Sequence, residues 1–217
     1  MNLSNIEWIE EPSPVSFEEA IAFMEKRVAE IIAGKSSQLI WIVEHPPLYT
    51  AGISAKSEDL LQKTNIPIYQ TNRGGKYTYH GPGMKIAYVM LDLKKIFAPA
   101  APDIASFVVF LENWVINFLT KFDIKGEIRK GRVGIWVENE GKEEKIAAIG
   151  IKIKKWVSYH GLAININPDL AAFKNIVPCG IKEFGVTSLW QLNKGNNLKC
   201  AEINKLIKES FYQNMPQ

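Results

Sequence analysis

Cys179 is the side chain in this sequence best suited to covalent chemistry. It lies between Pro178 and Gly180, at the end of the run Ile176-Val-Pro-Cys-Gly180. Proline fixes its own φ and glycine permits a sharp turn, so the thiol is predicted to lie at the tip of a loop. Most free cysteines are small buried hydrophobes, and that interpretation stays open for Cys179 and is preferred for Cys200.

A cysteine nucleophile needs a neighbouring cation or base. A thiol with an ordinary pKa of about 8.5 is only a few per cent thiolate at neutral pH. The candidate partners are the three histidines, His45, His80 and His160, and also Lys145. Lys145 opens the apolar run Lys145-Ile-Ala-Ala-Ile-Gly-Ile151, so its side chain could point into a pocket, although most basic residues are solvated surface charges. Spacing along the chain does not decide among these partners.

The run Arg73-Gly-Gly-Lys-Tyr-Thr-Tyr-His-Gly-Pro-Gly83 is predicted to be a structured loop that approaches a ligand. Its glycines allow close backbone approach and positive φ, and polar side chains lie between them. A glycine-rich hairpin kept for structural reasons is the alternative. The spacing matches neither the phosphate-binding loop nor the dinucleotide fingerprint, so no nucleotide is expected here.

Several other classes of function are disfavoured. The histidines are far apart and no Cys-x-x-Cys or His-Glu-x-x-His motif occurs, so no metal site is expected. No Gly-x-Ser-x-Gly elbow supports a serine hydrolase. A net charge of +3 and a pI of about 8.7 are too mild to indicate nucleic-acid binding. Two cysteines, no secretory signal and no apolar run of about 18 residues predict a cytoplasmic protein with free thiols and no membrane span.

The elements that must position these residues indicate an α+β fold. The sequence predicts one domain over residues 1–217, because single domains commonly reach about 200–250 residues. A capping box at Ser16–Glu19 starts the first helix, and Asp103 could cap a later one. Hydrophobic periodicity predicts helices over residues 17–31, 104–122 and 201–212, strands over 38–44 and 85–91, and an antiparallel meander over 133–138, 145–154 and 156–166.

Several of these segments, taken in order, resemble the lipoyl(octanoyl) transferase family. They are Arg73–Gly83, Lys145–Ile151, His160–Asn167, Ile176–Ile181 and Val186–Leu189. The resemblance covers roughly residues 41–189. Met84 and Lys76 depart from the usual pattern, which concerns the rim of the pocket and not the nucleophile. The resemblance implies a central mixed, largely antiparallel sheet flanked by helices, as in the catalytic domains of biotin and lipoate protein ligases.

The resemblance also implies an acyltransferase reaction. An octanoyl group passes from octanoyl-acyl carrier protein to a lysine of a lipoyl domain, in 2-oxoacid dehydrogenase E2 subunits or the glycine cleavage H protein. Cys179 takes the place of the nucleophile that forms the thioester intermediate, and Lys145 that of the activating lysine. No cofactor is implied apart from the phosphopantetheine that carries the donor. The implied substrate-binding residues are Arg73, Gly74, Gly75, Lys76, Tyr77, Thr78, Tyr79 and His80, then Ala148, Ile149 and Gly150, then Gly161, Leu162 and Ala163, with Ile149, Leu162 and Tyr79 expected to line the octanoyl slot.

Two other functions remain open at this point. One is an ATP-dependent lipoate-protein ligase on the same fold, which would need no nucleophilic cysteine. The other is a non-catalytic module that only docks lipoyl domains or acyl chains. A basic stretch could dock an acidic carrier protein or could be an ordinary solvated face; its members are Arg129, Lys130, Arg132, Lys142, Lys145, Lys152, Lys154 and Lys155.

Overall fold

The computed structural model describes residues 6–62, 64–177, 184–192, 194 and 197–214. Short 3-10 helices at Ser57–Asp59 and Leu170–Asn175 join the regular elements. In chain order those elements are β1 (Ile6–Glu10), α1 (Phe17–Ile32), β2 (Gln38–Val43), β3 (Leu48–Ala51), β4 (Ile68–Gln70), β5 (Tyr77–His80), β6 (Met84–Met90), α2 (Leu93–Phe97), α3 (Ile104–Thr120), β7 (Glu127–Arg129), β8 (Arg132–Asn139), β9 (Lys142–Lys154), β10 (Val157–Asn165), β11 (Gly185–Val186) and α4 (Cys200–Asn214).

Both predicted helix starts are confirmed by their capping hydrogen bonds. At the start of α1, the Ser16 hydroxyl accepts from the Glu19 amide at 3.2 Å, and the Glu19 carboxylate accepts from the Ser16 amide at 3.3 Å. At the start of α3, the Asp103 carboxylate accepts from the Ser106 amide at 2.7 Å. Each contact satisfies an amide that the first turn of a helix leaves unpaired. The capping residues thus fix where the two longest helices begin.

A large mixed sheet forms the centre of the molecule. Within the described ranges its strands run in the order β1-β2-β6-β10-β9-β8-β7, and β11 pairs with β9. The β1–β2 and β11–β9 pairs are parallel and the other neighbours are antiparallel. The predicted meander is therefore confirmed as β8, β9 and β10, with ends within about three residues of those expected. The predicted α+β fold with a central mixed sheet is confirmed.

Helices cover both faces of this sheet. On one face α3 and α4 pack against it, and Trp114 and Phe211 meet edge to face with their ring centroids 4.9 Å apart. On the other face α1 contributes Ala20, Met24 and Val28 to a second apolar cluster. Burial of these apolar faces is the main force that holds the layers together. No helix in the described part of the chain is long and apolar enough to cross a membrane.

A small second sheet lies on the α1 side and has the order β4-β3-β5. Its strand β5 occupies part of the run Arg73–Gly83, which the sequence predicted to be loop throughout. The difference has a tertiary cause, because β5 exists through its antiparallel pairing with β3, whose residues are distant in the sequence. The residues 73–76 that precede it form bends, so the glycine-rich run is a turn followed by a strand.

Candidate active site

A cleft lies between the small sheet and the central strands β9 and β10. The empty space in the cleft, measured out to its open mouth, is about 540 Å³. That figure includes open solvent, and the cavity volume of the cleft is about 50 Å³, so the slot is narrow. The three predicted substrate-binding segments meet here, and all their residues line the cleft except Gly74 and Tyr79: Arg73, Gly75, Lys76, Tyr77, Thr78, His80, Ala148, Ile149, Gly150, Gly161, Leu162 and Ala163.

Tyr79 does not line this cleft, contrary to the expectation that it contacts an octanoyl chain. Its ring packs between Tyr49 and Phe173, with both centroid distances at 5.5 Å. The side chain therefore belongs to the core under the small sheet. Gly74 is also off the cleft wall, because its amide donates to the Ile151 carbonyl at 3.0 Å and ties the turn to β9.

Arg73 organises the glycine-rich turn from within. Its guanidinium is buried, at 8% exposure. Nη2 donates to the carbonyls of Thr50 at 2.8 Å and Lys76 at 2.9 Å, and Nη1 donates to the Gly74 carbonyl at 2.8 Å. One planar cation thus joins both ends of the turn to β3. Arg73 shapes one wall of the cleft, and it places a buried positive charge beside the cleft.

The three histidines gather beside the same cleft with Tyr88. His45 donates from Nδ1 to the Val15 carbonyl at 2.6 Å, so its Nε2 accepts from the Tyr88 hydroxyl at 2.7 Å. Burial lowers the pKa of His45, and burial together with the charge of Arg73 lowers the pKa of His160 to about 4. Burial also lowers the pKa of His80 well below its usual range. The imidazoles are therefore neutral at pH 7 and supply no cation for a thiolate.

Lys145 is a buried lysine on β9, with 4% of its surface exposed. Its ammonium nitrogen Nζ donates to the Val133 carbonyl at 2.8 Å and lies 4.7 Å from the centroid of the Trp136 ring. A buried lysine is uncommon, because leaving water costs the charged form several kcal/mol unless polar partners replace it. The prediction that Lys145 points inward is confirmed. Its environment is built by β8, which runs beside it.

A small cavity next to the cleft contacts Lys145. It is lined by Lys145 and Val186, by Met84, Asn165 and Phe173, and by Thr78 and Ala148, which also line the cleft. Lys145 therefore lies beside the cleft, next to Thr78 and Ala148. In the strand register the pair Ala148–Ala163 is nearest to Lys145, followed by Ile149–Leu162 and then by Gly150–Gly161.

The candidate nucleophile Cys179 lies outside the described residues. On its N-terminal side the Val177 amide donates to the Asp59 carbonyl at 2.7 Å. On its C-terminal side Val186 pairs with Lys145 in the β11–β9 ladder. The Phe184 ring meets Trp136, which in turn contacts the Lys145 ammonium. Val186, seven residues after Cys179 in the sequence, thus lies directly beside Lys145.

The basic stretch that could dock an acidic carrier is partly engaged within the protein. Arg129 and Arg132 both form ion pairs with Glu143 on β9. The Arg132 guanidinium also lies over the rings of Trp136 and Phe184, at 4.7 and 4.2 Å. Lys145 is buried. These three residues are therefore not ordinary solvated surface charges, and docking of an acidic carrier by the basic stretch stays a prediction.

Sequence reasoning missed other residues of the cleft wall: Phe17, Thr50, Ile86 and Tyr88. Three of them lie on strands or helices whose patterns predict only core positions. Nothing in the sequence around the polar Thr50 indicates its contact with Arg73. That contact arises only in the tertiary structure. Among the described residues, no group of three or more His, Cys, Asp or Glu side chains is arranged to hold a metal ion.

Comparison with known proteins gives a consistent family. The model of the lipoyl protein ligase A/B catalytic domain matches residues 16–212. An octanoyltransferase of Paramagnetospirillum magneticum is 54% identical over 188 residues, which cover 86% of this chain and 87% of that protein. An octanoyltransferase of Wolbachia sp. subsp. Brugia malayi is 46% identical over 208 residues, covering 96% and 98%.

Solved structures agree on the fold. A lipoate-protein ligase A bound with ATP has a TM-score of 0.67 at 15% identity, covering 97% of this chain and 84% of the other. A bipartite lipoate protein ligase from Thermoplasma acidophilum has a TM-score of 0.66 at 14% identity, covering 97% and 83%. Identities this low establish the fold alone. The family model and the sequence relatives confirm the predicted resemblance: the chain belongs to the lipoyl protein ligase A/B catalytic-domain family and, within it, to the octanoyltransferases, which are acyltransferases.

Proposed function

We propose that this protein transfers an octanoyl group from acyl carrier protein, through a thioester on Cys179, to a lysine of lipoyl domains. The observation that carries the proposal is the cleft with the buried Lys145 beside it. The apolar part of the slot suits an acyl tail, and the buried lysine beside it suits a reacting carbonyl and thiol. The names of the relatives supply the octanoyl cargo.

The acyl tail is proposed to lie along the paired rows Ala148–Ala163, Ile149–Leu162 and Gly150–Gly161, with its carbonyl toward Lys145. Each buried methylene contributes about 0.8 kcal/mol, so a seven-carbon tail supplies several kcal/mol of recognition. The tail has no polar group to place, which fits a wall whose nearby histidines are neutral. The far end of the slot then lies at the row of Gly150 and Gly161.

In the first step the Cys179 thiolate attacks the carbonyl of the octanoyl thioester. The bond from carbonyl carbon to the pantetheine sulfur breaks, and the leaving thiolate takes a proton from the Lys145 ammonium. One thioester replaces another, so the exchange costs little free energy. The neutral imidazoles beside the cleft provide no competing cation.

In the second step the ε-amine of the acceptor lysine attacks the octanoyl-Cys179 carbonyl. The now neutral Lys145 amine accepts the proton that this amine loses, and the Cys179 thiolate leaves. The product is an amide, which is more stable than a thioester, so transfer is driven forward without ATP. No cofactor is needed beyond the phosphopantetheine of the donor.

Intact-protein mass spectrometry tests this function. Incubation with octanoyl-acyl carrier protein is expected to add one octanoyl mass, located on Cys179 by peptide mapping, and addition of a lipoyl domain is expected to remove it. Cys179→Ser is expected to form no such adduct and to transfer at a small fraction of the normal rate. Normal transfer by Cys179→Ser would contradict the mechanism.

The same assay distinguishes the alternatives. Activity with free lipoate or octanoate that depends on ATP would indicate a ligase, a possibility raised by the shared fold with lipoate-protein ligase A. Saturable binding of a lipoyl domain with no transfer from any donor would indicate a docking module. Cys200→Ser serves as the matched control, because Cys200 is exposed at the start of α4 and is expected to be dispensable.

A further inference from the structure

Glu112 is a carboxylate in the apolar core. It lies on the inner face of α3, is 3% exposed, and is flanked by the fully buried Leu111, Trp114 and Val115. An acid in such a place costs free energy unless polar partners replace water. An apolar side chain at this position would pack as well or better, so packing alone does not explain a carboxylate here.

The partner of Glu112 is a peptide group that also binds Lys145. The Gly134 amide donates to Glu112 Oε1 at 3.3 Å. The Val133 carbonyl, which is the other half of the same peptide unit, accepts from Lys145 Nζ at 2.8 Å. The peptide therefore has an anion at its N–H end and a cation at its C=O end. Both charges align with the dipole of the peptide and strengthen both hydrogen bonds.

The backbone at this peptide is specialised for the arrangement. Gly134 has φ +114°, a conformation that residues with a side chain rarely adopt. A Cβ there would lie 2.6 Å from the Ala147 carbonyl oxygen and 3.2 Å from Lys145 Nζ. The β8–β9 register also shifts directly after it, between Ile135 and Trp136. The irregularity in β8 thus turns one peptide between Glu112 and Lys145.

We propose that Glu112 is a positioning residue for Lys145, which it orients and stabilises as an ammonium through the Val133–Gly134 peptide. Glu112 would then be the third member of a group that also contains Cys179 and Lys145. It would act on Lys145 through the peptide unit that lies between the two side chains. This inference rests on the proposed function for the part that Lys145 plays in acyl transfer. The contacts among Glu112, the peptide and Lys145 are independent of that function.

The electrostatics agree with this geometry. Burial raises the pKa of the Glu112 carboxyl, and the Gly134 amide and the charge of Lys145 act in the opposite direction. Along the chain of contacts the two charges are no more than about 8.5 Å apart, because a peptide oxygen and its nitrogen are separated by about 2.2 Å. Opposite charges at this separation attract each other, so Lys145 favours the ionised form of Glu112.

The first test is Glu112→Gln, which keeps the shape and an acceptor oxygen but removes the charge. Acylation of Cys179 is expected to slow by about tenfold, and the alkaline limb of its pH profile is expected to move to lower pH. Glu138→Gln is the control, because it removes an exposed carboxylate from β8, the strand that contains the Val133–Gly134 peptide, and it is expected to change neither the rate nor the pH profile. A slower rate with an unmoved pH profile would show a packing role and overturn the proposal.

The second test needs no substrate. Carbon-13 NMR of the labelled Glu112 carboxyl is followed against pH in the normal protein and in Lys145→Met. The pKa of Glu112 is expected to rise in the variant, because the opposing charge is gone. An unchanged titration would overturn the link, even where Glu112→Gln does not fold. If the titration of Glu112 shifts in Lys145→Met but the normal protein forms no octanoyl adduct, the link between Glu112 and Lys145 is supported and the proposed function is refuted.

Discussion

Gly150→Ala is expected to change which acyl chain the protein prefers. Gly150 lines the cleft in the row farthest from Lys145, among the rows proposed to hold the tail. A methyl group there occupies about the space of the last carbon of an octanoyl chain. The substitution therefore shortens the slot at its far end and leaves the reacting end near Lys145 unchanged.

The magnitude follows from the value of a buried methylene. Octanoyl differs from hexanoyl by two methylenes, worth about 1.6 kcal/mol or roughly 15-fold in kcat/KM when both are buried. Loss of one methylene position lowers that preference by about fourfold. The added Cβ also lies 3.0 Å from the Gly74 carbonyl oxygen and 3.1 Å from Arg73 Cδ, so the turn must move slightly. That cost is common to both substrates and cancels in the ratio.

The assay is a competition between octanoyl- and hexanoyl-acyl carrier protein, with the products on a lipoyl domain measured by mass spectrometry. The expected result is a ratio of octanoyl to hexanoyl product about fourfold lower in Gly150→Ala. An equal fall for both chains would mean that the substitution disturbs only the Arg73 turn. It would refute the placement of the tail along these rows.

Other predictions concern the buried polar groups. Lys145→Met is expected to reduce octanoyl intake by 10²-fold or more, measured by mass spectrometry, with the helical circular dichroism spectrum unchanged. Gly134→Ala is expected to lower the free energy of unfolding in urea by about 2–4 kcal/mol, because its Cβ meets the Ala147 carbonyl oxygen at 2.6 Å and its φ is +114°. A change below about 0.5 kcal/mol would contradict the geometry described for β8.

Burial of a neutral His160 makes the stability of the protein depend on pH. The pKa of His160 is about 4 in the folded protein, against about 6.5 when unfolded, so the unfolded chain binds more protons between those values. The free energy of unfolding is expected to rise as pH increases from about 4 to 6.5, with His160 contributing about 3 kcal/mol. His160→Gln is expected to flatten this dependence in urea titrations, and an unchanged slope would contradict burial of a neutral His160.

Local patterns in the sequence determined much of the architecture. Ser16 and Asp103 fixed the starts of α1 and α3, because a cap needs only atoms within a few residues of it. Apolar runs and the alternation of apolar with polar residues predicted β2, β6 and the β8–β9–β10 meander. A strand buried on one face alternates in this way, and a strand buried on both faces is apolar throughout. The ordered motifs identified the family. Cys179 was singled out by its Pro-Cys-Gly setting, and its role stays a prediction because it lies outside the described residues.

The arrangement around Lys145 was decided only by the tertiary structure. Spacing could not choose between Lys145 and the histidines, whereas burial among neutral rings and beside Arg73 leaves those imidazoles uncharged at pH 7. Contacts with residues distant in the sequence also decide that β5 is a strand, that Tyr79 packs in the core, and that Thr50 contacts Arg73. Glu112 stood in an apolar helical pattern with nothing to mark it. Its partner is a peptide that lies 22 residues away in the chain, brought to it by the irregular turn of β8.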